Sequence, residues 1–210
     1  MSYITFKNIC KSYDNKTQVL KGIDLEVEEG ELLTLLRCLA GLEQVQQGHI
    51  LLEGRDITDL DARQRQIGMV FQQYSLFPNM TVAQNICVVP KLLKYPKERC
   101  EQIVRDMLAM VDMPYEQYAH KYPSEMSGGQ QQRVGILRAL AASPPIVLMD
   151  EPFSALDPMT RRTLQQEMKS LQQKLNKTIV FVTHDMEEAL DLADLIIFMN
   201  HGKIEQMASP

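Results

Sequence analysis

No run of this 210-residue chain is long and apolar enough to span a membrane as a helix. The longest apolar stretches are residues 32–36 and 195–199, whereas a spanning helix needs roughly 20 such residues. The first residues, MSYITFK, have no apolar core followed by small residues, so no signal peptide is expected. A basic excess is missing as well. Lys and Arg number 22 against 27 Asp and Glu, a net charge of −5, which argues against nucleic acid and against a polybasic lipid anchor. The four cysteines, Cys10, Cys38, Cys87 and Cys100, form no CxxC pair, so reduced intracellular thiols are expected rather than disulfides or a metal knuckle. What is present is ordinary for a globular protein. Hydrophobic residues make up 45% and charged residues 23%, enough for one domain with a real core.

Apolar periodicity sets the organisation. Residues 3–9 alternate like a half-buried strand, 19–27 read as a second strand interrupted at Gly22, and 31–36 as a buried third. Helix is expected over 37–42, strand over 48–53 with a turn at 54–56, and a short buried strand over 67–71. Residues 97–111 read as a helix with Ile103, Met107, Leu108 and Val111 on one face. Ser127 stands as the N-cap of a helix over 130–142. Buried strands at 146–149, 178–183 and 195–199 alternate with helices at 160–176 and 186–193. Such alternation implies parallel strands joined by crossovers. Residues 80–141 interrupt it as an inserted helical subdomain, leaving a core of 1–79 and 142–210 in a single domain spanning 1–210.

Several strand ends carry polar groups. The buried run 146–149 is followed by Asp150 and Glu151. Carboxylates at the C-terminal end of a strand lie where α/β sheets bind ligands, and they suit Mg²⁺ through water and a general base. The same letters also make an ordinary turn. Ser127-Gly128-Gly129-Gln130 opens a helix, where backbone N–H groups and the helix dipole suit phosphate, or where a serine simply caps. His184 follows one buried strand and Gln72 another. Tyr13 sits in a loop, able to stack on a base or to pack.

Singly these features leave both readings open; their order does not. MSGGQQQR (126–133) followed by LMDEPFSALD (148–157), with Tyr13, Gln72 and His184 in fixed succession, resembles the ATPase subunit of ABC transporters along essentially the whole chain. The resemblance implies an α/β fold: a mostly parallel P-loop-type core, an N-terminal antiparallel β region and an inserted helical subdomain. It implies ATP and Mg²⁺. Tyr13 would stack on adenine. Asp150 (the Walker B acid) and Gln72 would order Mg²⁺ through water. Glu151 would be the general base, with Gln72 and His184 beside the reaction. Ser127, Gly128, Gly129 and Gln130, the signature motif, would grip the γ-phosphate of nucleotide held by a second subunit, and Ser154 to Asp157 would run along that interface. The partners implied are a second copy, head to tail, and transmembrane permease subunits received by the loop from Gln72 to Pro78 and the helices after it. The location implied is cytoplasmic, on the inner face of the membrane, and the cargo a small solute such as a polyamine, metal ion, oxyanion or osmoprotectant. A soluble relative acting on ribosomes or DNA is disfavoured by the negative charge and by the lack of a long basic insert.

The resemblance breaks in one place. A phosphate loop, GxxxxGK[ST], should follow the strand at 31–36, supplying backbone N–H groups, a Lys and a hydroxyl. Here Leu36 runs straight into Arg37-Cys38-Leu39-Ala40-Gly41, and the only Gly-Lys pair, Gly202-Lys203, is followed by Ile204. About eleven residues are missing against the family pattern. Either the native protein has a loop that this sequence omits, the reading favoured because the other motifs are intact, or the deletion is real. In the second case the chain would be a nucleotide-blind scaffold. Gly135-Ile136-Leu137-Arg138 also stands where the family carries an alanine-rich helix, and the sequence stops at Pro210, so the added C-terminal regulatory domain of some importers is expected to be absent or to have been cut away.

Overall fold

A computed structural model describes residues 4–12, 18–27, 36–45, 47–72, 75–200 and 203–210, with side chains described from residue 36 onward except at 46, 73–74 and 199–203. In chain order the strands are β1 (Ile4–Ser12), β2 (Gln18–Val27), β3 (Gln47–Leu52), β4 (Arg55–Asp56), β5 (Gly68–Val70), β6 (Ile146–Asp150), β7 (Thr178–Val182), β8 (Ile196–Asn200) and β9 (Lys203–Ala208). The α-helices are α1 (Leu36–Ala40), α2 (Val82–Ile86), α3 (Val88–Leu92), α4 (Lys97–Ala109), α5 (Tyr115–Tyr118), α6 (Gly128–Leu140), α7 (Pro158–Leu175) and α8 (Met186–Leu192). By packing, these divide into two units: Met1–Ile67 with Asn176–Pro210, and Gly68–Leu175.

In the first unit, β2, β1, β3 and β4 form an antiparallel sheet in that order. The β1–β2 register jumps from Ile9↔Ile23 to Cys10↔Lys21 and so passes over Gly22, a β-bulge within the strand. Gly22 therefore kinks a continuous strand instead of ending one. Glu53 and Gly54 join β3 to β4 with φ of 51° and 78°, the paired positive angles of a tight hairpin turn. The turn expected at 54–56 is thus one residue earlier, and Arg55 and Asp56 already pair with Leu52 and Leu51.

Leu36, expected to close a strand, instead opens α1; residues 31–35 lie outside the described ones. Leu36, Cys38, Leu39 and Ala40 are all buried, and α1 lies against β7. Four apolar residues in five favour whichever local conformation buries them all, and tertiary packing selected the helix. Gly41 ends it with φ 71°: its N–H donates to the Cys38 carbonyl (3.2 Å) and the Leu42 N–H to that of Arg37 (3.1 Å), the Schellman arrangement.

The second unit pairs β5 and β6 in parallel, Gly68↔Val147 to Val70↔Met149. Isoleucine, valine, leucine and methionine at 146–149 are at most 1% exposed, as a strand covered on both faces requires. Gly68 is needed because a Cβ there would stand 2.6 Å from the Ala139 carbonyl oxygen at the back of α6. On α4 the buried line is Cys100, Val104 and Leu108, continued by Val111. Ile103 and Met107, expected on that face, flank it half-buried. Helix α7 buries Leu164, Met168 and Leu171 at spacings of four and three.

Candidate functional site

Each polar group of interest stands where a regular element ends. Strand β6 delivers Asp150, half-buried, and the chain then turns at Glu151 with φ 45°. A left-handed non-glycine residue before proline is doubly disfavoured, costing about 1–2 kcal/mol. The turn is held by local bonds. The Ser154 N–H and Oγ–H both donate to the Glu151 carbonyl, at 3.3 and 3.0 Å, and Phe153 is plugged into the core at 2% exposure.

Gln72 lies two residues beyond β5, so the parallel pairing of β5 with β6 brings it beside Glu151. Its Nε2 donates to Glu151 Oε2 at 2.9 Å and to Ser154 Oγ at 3.4 Å. Two residues 79 positions apart thus form one amide–carboxylate pair, which orients the carboxylate.

The turn 126–130 is a capping box. Ser127 Oγ accepts from the Gln130 N–H at 3.3 Å, and Gln130 Oε1 accepts from the Ser127 N–H at 3.1 Å. Helix α6 therefore begins at Gly128, two residues before its expected start, because Ser127 caps from immediately outside. Gln130 Nε2 reaches the Tyr118 hydroxyl at 3.4 Å. Gly129 is buried, and a Cβ on it would meet Thr160 Cγ2 of α7 at 2.6 Å, so its small size is a packing requirement. Asp157 accepts from the Thr160 N–H at 3.1 Å and precedes Pro158, making it the N-cap of α7 with proline at the first helical position. Thr160, by side chain and backbone, holds the Asp157 carboxyl below its usual range.

The loop ahead of α2 is pinned from two sides. Asn85, fully buried, accepts from the Phe77 N–H at 2.8 Å and donates to the carbonyls of Phe77, Met80 and Thr81. Arg138 Nη1 donates to the Ser75 carbonyl at 2.8 Å, and its guanidinium lies 5.6 Å from the Phe77 ring centre. Exposed apolar residues in this part of the chain include Phe71 and Phe77, and Val89, Leu92 and Leu93 of α3 and its end.

His184 belongs to the first unit, exposed just past β7. Its neighbours are tethered. Thr183 Oγ1 donates to buried Glu188 at 2.7 Å and accepts from the Asp185 N–H at 3.0 Å, while Asp185 caps α8 through Glu187 N and Glu188 N. Tyr13, with residues 73–74 of the expected docking loop, lies outside the described residues.

The donor set suits Mg²⁺ in part. Among the described residues no three His, Cys, Asp or Glu side chains converge on a point. A cation here would rest on Asp150, the Gln72 amide, water and phosphate, which is how Mg²⁺ is commonly held. The β-phosphate cradle does not fit: the sequence has no lysine between Lys21 and Lys91, and α1 opens on leucine. Sequence reading had not singled out Asn85 or Gln132, and it placed Ser154 along an interface, not as a bond to the Glu151 turn. Gln132 was findable, since it falls on the buried stripe Gly129, Gln132, Gly135, Ile136 of α6.

A parallel β–α core with an antiparallel β region, carboxylates at a strand end and a capped Gly-Gly helix start define an ATP-binding cassette. The ABC transporter family profile matches residues 20–154, and the chain belongs to that family. It is 46% identical to the choline transport ATP-binding protein OpuBA of Bacillus subtilis (strain 168), over 99% of this chain and 58% of that protein. It is 44% identical to the osmoprotectant import ATP-binding protein OsmV of Salmonella typhimurium, over 99% and 59%. The chain thus spans somewhat over half the length of these curated relatives. The OpuBA match runs over 220 positions against 210 residues here, so ten or more positions of that relative have no counterpart. Among solved structures, the dimeric post-hydrolysis state of the ATP-binding cassette MJ0796 bound to ADP and Pi superposes with a TM-score of 0.83 at 32% identity, covering 98% of each chain. Among the described residues no helix is long and apolar enough to cross a membrane.

Proposed function

We propose that this chain is the ATP-binding and hydrolysing subunit of an importer for a small solute, working as a head-to-tail pair beneath membrane permease subunits. The observation that carries the reading is the Gln72–Glu151 bond: a carboxylate aimed by an amide at the ends of two parallel strands. Glu151 acts as general base toward water, and Gln72 orients it. When bound, Mg²⁺ neutralises phosphate charge; Asp150 and Gln72 are the groups to hold it through water. His184 stands ready to meet the γ-phosphate, and Tyr13 to stack on adenine. Ser127, Gly128, Gly129 and Gln130 contact nucleotide carried by the second subunit, with Asp157 along the same interface.

The exposed apolar set Phe71, Phe77, Val89, Leu92 and Leu93 is the surface for a permease helix. The domain is read as one ATPase unit with a helical subdomain at 80–141, at the cytoplasmic face of the membrane. The named relatives favour a quaternary-ammonium osmoprotectant as cargo. Retained turnover needs a phosphate cradle, so in the native protein the proteolytic peptide that spans Leu36 and Arg37 should be heavier by roughly 1 kDa, at about 0.1 kDa per residue of an eleven-residue loop. In that protein Glu151→Gln should abolish Mg²⁺-dependent hydrolysis while retaining ATP and favouring the dimer. Undiminished turnover would refute the base assignment, and no hydrolysis by the native protein would refute the function.

A further inference from the structure

We propose that Gln132 is the positioning residue of Glu151: it pins the strained turn that presents the carboxylate and ties that turn to the helix begun by Ser127. The proposal rests on the reading of Glu151 as general base. Gln132 lies in α6, about one turn after Gly128 and Gly129, and is completely buried. Its Nε2 donates to the Pro152 carbonyl at 2.5 Å. Pro152 has no N–H, so its carbonyl is the one main-chain polar group that this residue itself offers to a partner. With φ at 45° before a proline, Glu151 stays in place only if its surroundings over-determine it. Gln72 and Ser154 do so from one side, and Gln132 does so from the helix.

The other half of this amide makes the case for a working role. Gln132 Oε1 is buried with no hydrogen-bond partner. Rotating the amide gives no relief, because it would set Oε1 against the Pro152 oxygen. An apolar side chain of the same length removes the orphaned acceptor but leaves the Pro152 carbonyl without its donor, two effects of similar size and opposite sign, so it changes overall stability little. A residue that adds little to overall stability and is bonded to the strained turn is explained by what it does to the turn. Through it, whatever engages Ser127 and Gly129 is linked by a single side chain to the backbone of Glu151.

The experiment compares the native protein with Gln132→Met and Gln132→Leu, which keep volume and lose the donor. Both should melt close to the native temperature, since the lost orphan acceptor offsets the stranded Pro152 carbonyl. Amide exchange at Phe153, Ser154 and Leu156 should quicken about tenfold while the rest of α6 stays protected. The kcat for ATP should fall about 10²-fold with KM within about twofold, the pattern of a misplaced reacting group. Unchanged exchange in the turn overturns the proposal. So does a fall in melting temperature with exchange raised throughout α6, or failure of both variants to fold, since Gln132 is then a core residue. If the native protein shows no turnover, the function reading falls, and the exchange measurement alone decides the role of Gln132.

Discussion

Replacing Arg65 with methionine tests what holds the C-terminal end of α1. Arg65 is 4% exposed and donates four hydrogen bonds to carbonyls: Nη1 to Cys38 (2.6 Å) and Leu39 (2.9 Å), Nη2 to Thr58 (2.7 Å) and Nε to Leu60 (2.8 Å). Cys38 and Leu39 belong to the last turn of α1, where the helix dipole favours a cation. Burial lowers the affinity of this guanidinium for its proton, yet it stays charged. Bonds to a charged donor contribute about 1.5–3 kcal/mol each, but losing all four does not cost four times that.

Methionine regains apolar burial and ends the desolvation of a charge. The Thr58 and Leu60 bonds are only partly buried, so those carbonyls find water. The Cys38 and Leu39 carbonyls are stranded in the core at about 1–3 kcal/mol each. The net expectation is a loss of about 3–4 kcal/mol, within the range for breaking a buried charge site. At a urea slope near ~2 kcal/mol/M the midpoint should fall by roughly 1.5–2 M. Arg65→Lys should recover little, since an ammonium cannot span four carbonyls held by a planar fork. A loss under about 1 kcal/mol for Arg65→Met would refute the claim that this one side chain holds the end of α1.

Other outcomes follow from single contacts. Gly68→Ala should cost about 1–3 kcal/mol in chemical denaturation, because the added carbon meets the backbone oxygen of Ala139, which cannot swing aside. Glu167→Gln should weaken the joint between α6 and α7, where Arg133 holds the carboxylate at 2.7 and 2.6 Å; a double-mutant cycle with Arg133→Met should return a coupling of about 1–3 kcal/mol. The Thr58 hydroxyl and N–H, with His49, hold the Asp56 carboxyl down to about 2. A depressed carboxylate stabilises the fold above its unfolded value and loses that contribution as pH falls. Asp56→Asn should therefore lower the melting temperature at pH 6 and match the parent near pH 2.

The order of elements and their alternation could be read along the chain, because burying one face imposes a period on the residues that do it. Strand β6, with four apolar residues and then two acids, is the plainest case. The capping box at Ser127 and Gln130 and the stop at Gly41 are equally local, since each is a bond between residues a few positions apart. Leu36 was not legible: in a short apolar run strand and helix bury the same residues, and packing chooses. Nor was the true stripe of α4, since Val104 rather than Ile103 faces inward only once a neighbour sets the helix rotation. Residue types along the chain supplied the site's chemistry, the acids, the amide and the glycine pair. Packing alone set Gln72 against Glu151, buried Gln132 under Pro152 and closed four carbonyls around Arg65, because no periodicity reaches across tens of residues to say which strand end lies beside which.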